Sequence, residues 1–277
     1  MIIGAQEYPW FQHYQQRQLQ PREHLGEILA AVRAAGLEAW EPCLPEESSV
    51  PMWRDLLGEH GLQMPSAYLG GILHEGDAQQ IVEKAVAQAA AAKSLGVRIV
   101  VSNPNPIAWG SAENKTDPQL RFQAGVLEKI SGGLKAQGQT LAYHTHDPEM
   151  RCGAREFTHM MRAIDPELMG FCLDVHWIYR GCGNSQVAVE DILGIYGHRV
   201  VSLHLRQSHG GIWAEHLQEG DIDYSPVWRF LKSRGFDGPA IIETAFEDGT
   251  PRELPMEESH RLSRKWIESS WNRASAS

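Results

Sequence analysis

The stretch QQIVEKAVAQAAAAKSLGVRIVVSN, residues 79–103, holds one complete helix-then-strand unit. Its first part is rich in alanine, lacks internal Gly and Pro, and stops at Gly96, a strong helix followed by its usual terminator. VRIVVSN is then short, apolar and β-branched, and polar turn residues bound it, as expected of a buried strand. The same alternation runs outward in both directions. Upstream lie a strand at Ile2–Ala5, the helical pattern REHLGEILAAVRAAG, the strand LEAWEPCL, the helix VPMWRDLLGEHG and a weaker strand LQMPSAYL. Downstream, DPQLRFQAGVLEKISGGLKAQG opens a helix at Asp117-Pro118, a cap-then-proline signature. It leads into QTLAYHTH, REFTHMMRAI, MGFCLDVH, VAVEDILGIYG, VVSLHLRQ, YSPVWRFLKSRG, GPAIIET and a last helix within SHRLSRKWIESSW. Eight βα units with no linker or composition break predict one domain over residues 1–277, an α/β single (β/α)₈ TIM barrel. No GxGxxG follows the first strand, which weighs against a dinucleotide-binding fold.

The composition agrees with a soluble enzyme-sized domain. The 277 residues carry a formal net charge of −10, which disfavours nucleic acid or an anionic membrane as partner, because phosphate backbones are held by clustered Lys and Arg. Cys43, Cys152, Cys172 and Cys182 form no CxxC pair, so they read as reduced thiols of a cytoplasmic protein. No signal peptide or membrane span is indicated.

In such a barrel the active site lies at the C-terminal ends of the strands. There the eight strands present Glu7, Glu41, Tyr68, Asn103 with Asn105, then His144, His146 and Glu149, Asp174 with His176, His204 with Arg206, and Glu243. A lone histidine or aspartate at a strand end is most often a hydrogen-bonded structural group. Carboxylates and imidazoles at the ends of four successive strands suit one divalent metal ion, such as Mn²⁺, Mg²⁺, Co²⁺ or Zn²⁺.

The segments YHTHDPEM (143–150), LDVHWIYRGCG (173–183), SLHLRQ (202–207), EGDIDY (219–224) and IIET (241–244) together resemble the xylose isomerase-like barrels, in particular the sugar phosphate isomerase/epimerase family. Many of its members carry YHNHxxEF, LDxxW, HLKD, a GxGxxD turn and a closing glutamate. The resemblance implies a divalent ion, Mn²⁺ first, at the barrel mouth and a small carbohydrate or polyol substrate. Carried over by position, Glu149, Asp174, His204 and Glu243 are the implied metal ligands, with a strand-5 histidine as the alternative to Glu149. Glu243, Glu149 and His146 are the implied proton-handling groups, and His144, His176, Trp177, Arg180 and Arg206 the implied substrate contacts. HLKD reads HLRQ here, which places a fixed guanidinium at Arg206, and Gln218 replaces the first turn glycine. Many relatives are dimers or tetramers, which makes a homo-oligomer an expectation, although no surface stripe in the sequence shows one.

The expected chemistry is isomerisation or epimerisation of a keto-sugar or polyol through a metal-stabilised enediolate. The alternative is loss of a β-hydroxyl from that enediolate, the dehydratase outcome of inosose dehydratase-like relatives. An endonuclease IV-like nuclease would need more metal ligands and a basic groove. A non-catalytic carbohydrate-binding barrel would not need the metal set. Trp10, Trp109, Trp177 and Trp213 fall near strand ends; Trp177, which matches LDxxW, is expected as an apolar wall over a sugar, while for the other three loop packing is the expectation and a wall the functional alternative.

Overall fold

A computed structural model describes residues 1–274. Its centre is an eight-stranded parallel sheet made of β1 (Ile3–Gln6), β2 (Ala39–Glu41), β3 (Ser66–Tyr68), β4 (Ile99–Ser102), β5 (Thr140–Tyr143), β6 (Met169–Asp174), β7 (Val200–Leu205) and β10 (Ala240–Ile242). A short antiparallel hairpin, β8 (Ser208–His209) and β9 (Ile212–Trp213), follows β7. The strand order β2-β1-β10-β7-β6-β5-β4-β3 nearly closes on itself. Trp40 N donates to Gln63 O at 2.9 Å and Tyr68 N to Pro42 O at 2.8 Å, so β2 and β3 also meet. The fold is therefore the expected single (β/α)₈ TIM barrel.

The surrounding helices are α1 (Glu7–Gln16), α2 (Leu25–Ala34), α3 (Val50–His60), α4 (Ala78–Lys93), α5 (Asp117–Ala136), α6 (Asp147–Ala163), α7 (Val175–Gly181), α8 (Gln186–Tyr196), α9 (Ser225–Ser233) and α10 (Met256–Arg273). In α4, Asp77 accepts from Gln79 N and Gln80 N, and the buried face is Ala85, Ala89 and Ala92. Small residues there let α4 pack close to α5. A Cβ on Gly133 of α5 would lie 2.6 Å from Val86 Cγ2. The cap of α5 is Thr116, one residue before the expected Asp117, with Gln119 completing a capping box. No helix among the described residues is long and apolar enough to cross a membrane.

The β8–β9 hairpin and three stretches of α-helix were not expected from periodicity. EYPWFQHYQQ forms α1 directly after β1, and its glutamines and aromatic residues leave no apolar stripe to read. HWIYRG continues from Asp174 into α7. The helix expected at 155–164 is preceded by a turn from Asp147, and Arg151–Ala154 break the helical backbone between them. Cys152, Gly153 and Ala154 all have positive φ.

Trp10 lies in α1 and is buried, so it packs the helix layer and is not a wall of the mouth. Its Nε1–H donates to His260 Nε2 at 3.2 Å, and His260 Nδ1–H donates to Met256 O at 2.9 Å. Both ring nitrogens are thus satisfied in the neutral imidazole, and a second ring proton would face the Trp10 N–H. Burial pushes the His260 pKa down to about 4. Because the folded value lies below the unfolded one, this contribution is complete above pH ~6.5 and is lost as the pH falls through ~4. We expect urea unfolding at pH 7 and pH 4.5 to show a pH-dependent loss smaller by about 2 kcal/mol in His260→Gln than in the unsubstituted protein. Equal losses in the two proteins would remove His260 as the cause.

Candidate active site

The site begins where β6 ends. Asp174 is the N-cap of α7, and its Oδ1 accepts from Trp177 N at 2.8 Å. That bond fixes the carboxylate and turns Oδ2 inward, where it lies 3.4 Å from His144 Nε2. Both atoms are buried and have no hydrogen-bond partner. His144, Asp174, His204 and Glu243 each bring a donor atom to one point, all within 4.8 Å of one another, and all four residues are buried. A buried imidazole nitrogen and a carboxylate oxygen facing each other with no proton between them would be costly unless a cation fills the gap. Two imidazoles and two carboxylates form a donor set that fits a divalent metal.

Each imidazole is oriented from behind. His204 Nε2 lies 2.7 Å from Glu41 Oε1, and its Nδ1 lies 3.2 Å from Glu243 Oε2. Ser66 Oγ donates to the other Glu41 oxygen. His144 Nδ1 lies 3.3 Å from the Tyr68 hydroxyl, which donates to Asn103 Oδ1. At His144 this outer acceptor selects the tautomer that leaves Nε2 free to ligate. His204 faces carboxylates from both nitrogens, and although burial opposes it, Cys172, Glu41 and Glu243 hold its pKa well above the usual imidazole value, so a bound ion would take the place of its Nδ1 proton. Burial, then the charge on His204, pushes the His144 pKa down to about 3, so the ring is neutral. Burial opposes ionisation of Glu243, yet Arg206 and His204 hold its carboxyl below the usual range. The strand ends named Glu41, Tyr68 and Asn103 in advance but not what they do. The clue to Glu41 was a carboxylate enclosed by apolar residues in LEAWEPCL.

Glu149 is the expected ligand that the structure does not bring to this point. Its Oε2 accepts from His146 N at 2.7 Å, closing the first turn of α6. It is fully buried, and burial together with Glu156 raises its pKa. The turn that begins at Asp147 uses its carboxylate as a cap, and the residue at the strand end, His144, takes the place beside Asp174.

Above the cluster opens a cavity of about 800 Å³. Glu243 and Arg206 form part of its floor, while His146, Trp109, Trp177 and Trp213 form part of its walls. The His146 ring lies 4.8 Å from that of His144 and 5.2 Å from Trp177. Burial, then His144, pushes its pKa down to about 3, so this imidazole is neutral too. The Arg206 guanidinium stacks 3.9 Å from the centroid of Trp213 and donates from Nε to Glu243 O at 2.7 Å. Two expected substrate contacts lie off the cavity wall. Arg180 forms a bidentate pair with Glu247, both bonds 2.8 Å, and so ties α7 to the loop after β10. His176 is buried behind Trp177 and Trp213, its centroid 5.6 and 6.0 Å from theirs.

Known proteins bear on this geometry in two ways. Over 202 residues the chain is 26% identical to the L-ribulose-5-phosphate 3-epimerase UlaE of Shigella flexneri serotype 5b, covering 67% of this chain and 66% of the epimerase. Over 178 residues it is 22% identical to the inosose dehydratase of Lacticaseibacillus casei, covering 57% and 56% of the two chains. The matches thus span less than two thirds of these relatives' own lengths. In fold, it is similar to the solved D-allulose 3-epimerase of Methylomonas sp., with a TM-score of 0.76, 14% identity and 98% of each chain covered. The pattern of the xylose isomerase-like TIM barrel family matches residues 29–268, and the chain belongs to that family.

Proposed function

We propose that the protein is a divalent-metal-dependent isomerase or epimerase of a small keto-sugar or polyol. The observation that carries the reading is the pair of orphaned, buried donor atoms on His144 and Asp174, set with His204 and Glu243 at the floor of an aromatic cavity. We assign these four residues as ligands, His144 taking the place expected for Glu149. The epimerase and dehydratase relatives support a small-sugar reading of the cavity above them. When bound, the ion supplies Lewis acidity toward a carbonyl oxygen, and Mn²⁺ is the ion that the family resemblance puts first.

The chain's own groups do the rest. Glu243 reaches both the donor cluster and the cavity, and its depressed pKa keeps it ionised as a base for a proton alpha to a carbonyl. His146 lines the cavity as a neutral imidazole, able to hold or return a proton on the substrate's other side. Glu149 positions His146 by fixing its backbone N–H. Arg206 leaves its buried Nη1 without a partner, while its Nη2 lies 3.3 Å from Glu243 Oε1. The tryptophan walls exclude water from an enediolate.

A dehydratase is the second reading, and one observation favours it. The two proton-handling groups that line the cavity are one carboxylate, Glu243, and one histidine, His146. Unlike groups suit removal of a proton from one carbon and protonation of a departing hydroxyl on the next.

Protein purified without chelator is expected to carry one divalent ion per chain by elemental analysis. Asp174→Ala and His204→Ala should abolish it, and His144→Ala should weaken metal binding by more than ~10-fold. Glu149→Gln should keep the ion; loss of metal there with retention in His144→Ala would restore Glu149 as the ligand. Under the same reading, Glu243→Gln should lose turnover by about 10²–10⁴-fold with metal retained better than in Asp174→Ala. Full activity in that variant would exclude Glu243 as the base.

A further inference from the structure

Asn103 follows β4 directly and is 2% exposed. It shares the lumen face of its strand with Val101, as His144 does with Ala142 on β5, because residues two apart on a strand point the same way. Val101 pairs with Ala142 on one side and with Tyr68 of β3 on the other, and His144 N donates to Ser102 O at 2.8 Å. Tyr68, Asn103 and His144 therefore stand side by side at three neighbouring strand ends. Asn105, two residues on, is taken up by its own loop: its N–H donates to Gly71 O at 2.8 Å, and its Oδ1 accepts from Gly71 N at 3.4 Å. Asn103 instead lines the cavity, and its Nδ2 is buried with no partner among the described residues.

Around the same cavity Arg151 Nε, Arg206 Nη1, Trp177 Nε1 and Trp213 Nε1 are also buried without a partner among the described residues. Those groups can only donate, whereas an amide can turn either its oxygen or its nitrogen toward a ligand. At Asn103 the donor cluster makes that choice. His144 faces Asp174 through Nε2, 3.4 Å from Oδ2, and ligation through Nε2 leaves the ring proton on Nδ1. Nδ1–H then donates to the Tyr68 hydroxyl at 3.3 Å, whose own proton goes to Asn103 Oδ1. With Oδ1 engaged, both N–H groups of Nδ2 are left for a ligand. A flipped amide would reverse both bonds. Nδ2 would donate to Tyr68, Tyr68 would donate to His144 Nδ1, and the imidazole proton would move to Nε2, the nitrogen assigned to the ion. Asn103 is thus a donor toward the cavity whenever His144 is a ligand.

We propose that Asn103 is a substrate-binding residue whose Nδ2 donates to a carbonyl or hydroxyl oxygen of the substrate, and that Tyr68 is a positioning residue that sets this donor from the metal centre. The assignment rests on the isomerase reading above and adds a second point of attachment to it. Asn103→Asp tests it, because an oxygen still accepts from Tyr68 while the donor is gone. Asn103→Ser is the uncharged second variant, in case the aspartate disturbs folding, and Tyr68→Phe breaks the chain in the middle. Competition with a chelator reads Mn²⁺ affinity, and calorimetric titration of the metal-loaded proteins with L-ribulose and D-allulose reads binding. Exchange of substrate C–H for deuterium in D₂O reads turnover. Both Asn103 variants should lose ~10–100-fold in ketose affinity and in exchange kcat/KM, mainly through KM, as expected for a lost hydrogen bond to a buried partner. Their Mn²⁺ affinity should be kept. Tyr68→Phe should show the same ketose loss and also hold Mn²⁺ more weakly by ~10-fold or more. Unchanged ketose binding in the Asn103 variants, or a loss of Mn²⁺ affinity there as large as in Tyr68→Phe, would overturn the assignment and leave the isomerase reading standing. Ketose affinity kept in Tyr68→Phe would remove Tyr68 from the positioning role. Ketose binding without exchange in the unsubstituted protein would sink the enediolate chemistry, and the affinities would still decide on Asn103. Neither binding nor exchange of either ketose would remove both.

Discussion

Asp174 uses its two carboxylate oxygens for two different purposes, and much of the site depends on that division. One oxygen caps α7 through Trp177 N, so the helix can start at the strand's last residue with no loop between them. The other is thereby held toward His144 with no partner of its own. A carboxylate fixed by only one of these two demands could rotate away from the cluster. The same geometry places Trp177 at the cavity wall, because the residue three positions past an N-cap lies one turn along the helix. Strand end, helix start, candidate ligand and aromatic wall are thus consequences of one aspartate.

The second constraint is the barrel itself. Parallel strands bring eight C-terminal ends to one face, and β6, β7 and β10 pair in a register that sets Asp174 beside His204 and His204 beside Ile241, two residues before Glu243. The small lumen residues Val101, Ala142 and Cys172 pack beneath the cluster. Behind it stand the acceptors that fix ring orientation, Glu41 for His204 and Tyr68 for His144, each held by a further partner from a neighbouring strand. A cation arriving here would find donors already aimed, which lowers the reorganisation that binding requires.

Much of this was legible in the sequence. The Ala-rich helix ending at Gly96 and the VRIVV run behind it have strong, opposite periodicities, and repeating that unit gives the barrel. Asp174, His204 and Glu243 could be placed because each stands immediately at the end of an apolar run. Glu149 could not be separated from His144 by the same reasoning. Both belong to YHTHDPEM, and which of them faces the cluster depends on where α6 begins. The helical turn starts at Asp147, so Glu149 falls at the position whose side chain reaches back to the cap. Arg180 was legible as an arginine near the site but not as half of a pair with Glu247, 67 residues away. Long-range partners leave no local pattern, and α1 shows that a helix without an apolar stripe leaves none either.

The identity of the strand-5 donor also determines the charge of the whole centre. With His144 neutral, the cluster holds two carboxylates, Asp174 and Glu243, and these match the charge of one divalent ion. Glu41 behind His204 and Arg206 beside Glu243 carry opposite charges and offset each other across the floor. A carboxylate at position 144 would leave the centre one charge more negative. In a buried site where Coulomb terms are weakly screened, a balanced centre can receive a neutral diol or carbonyl without further compensation.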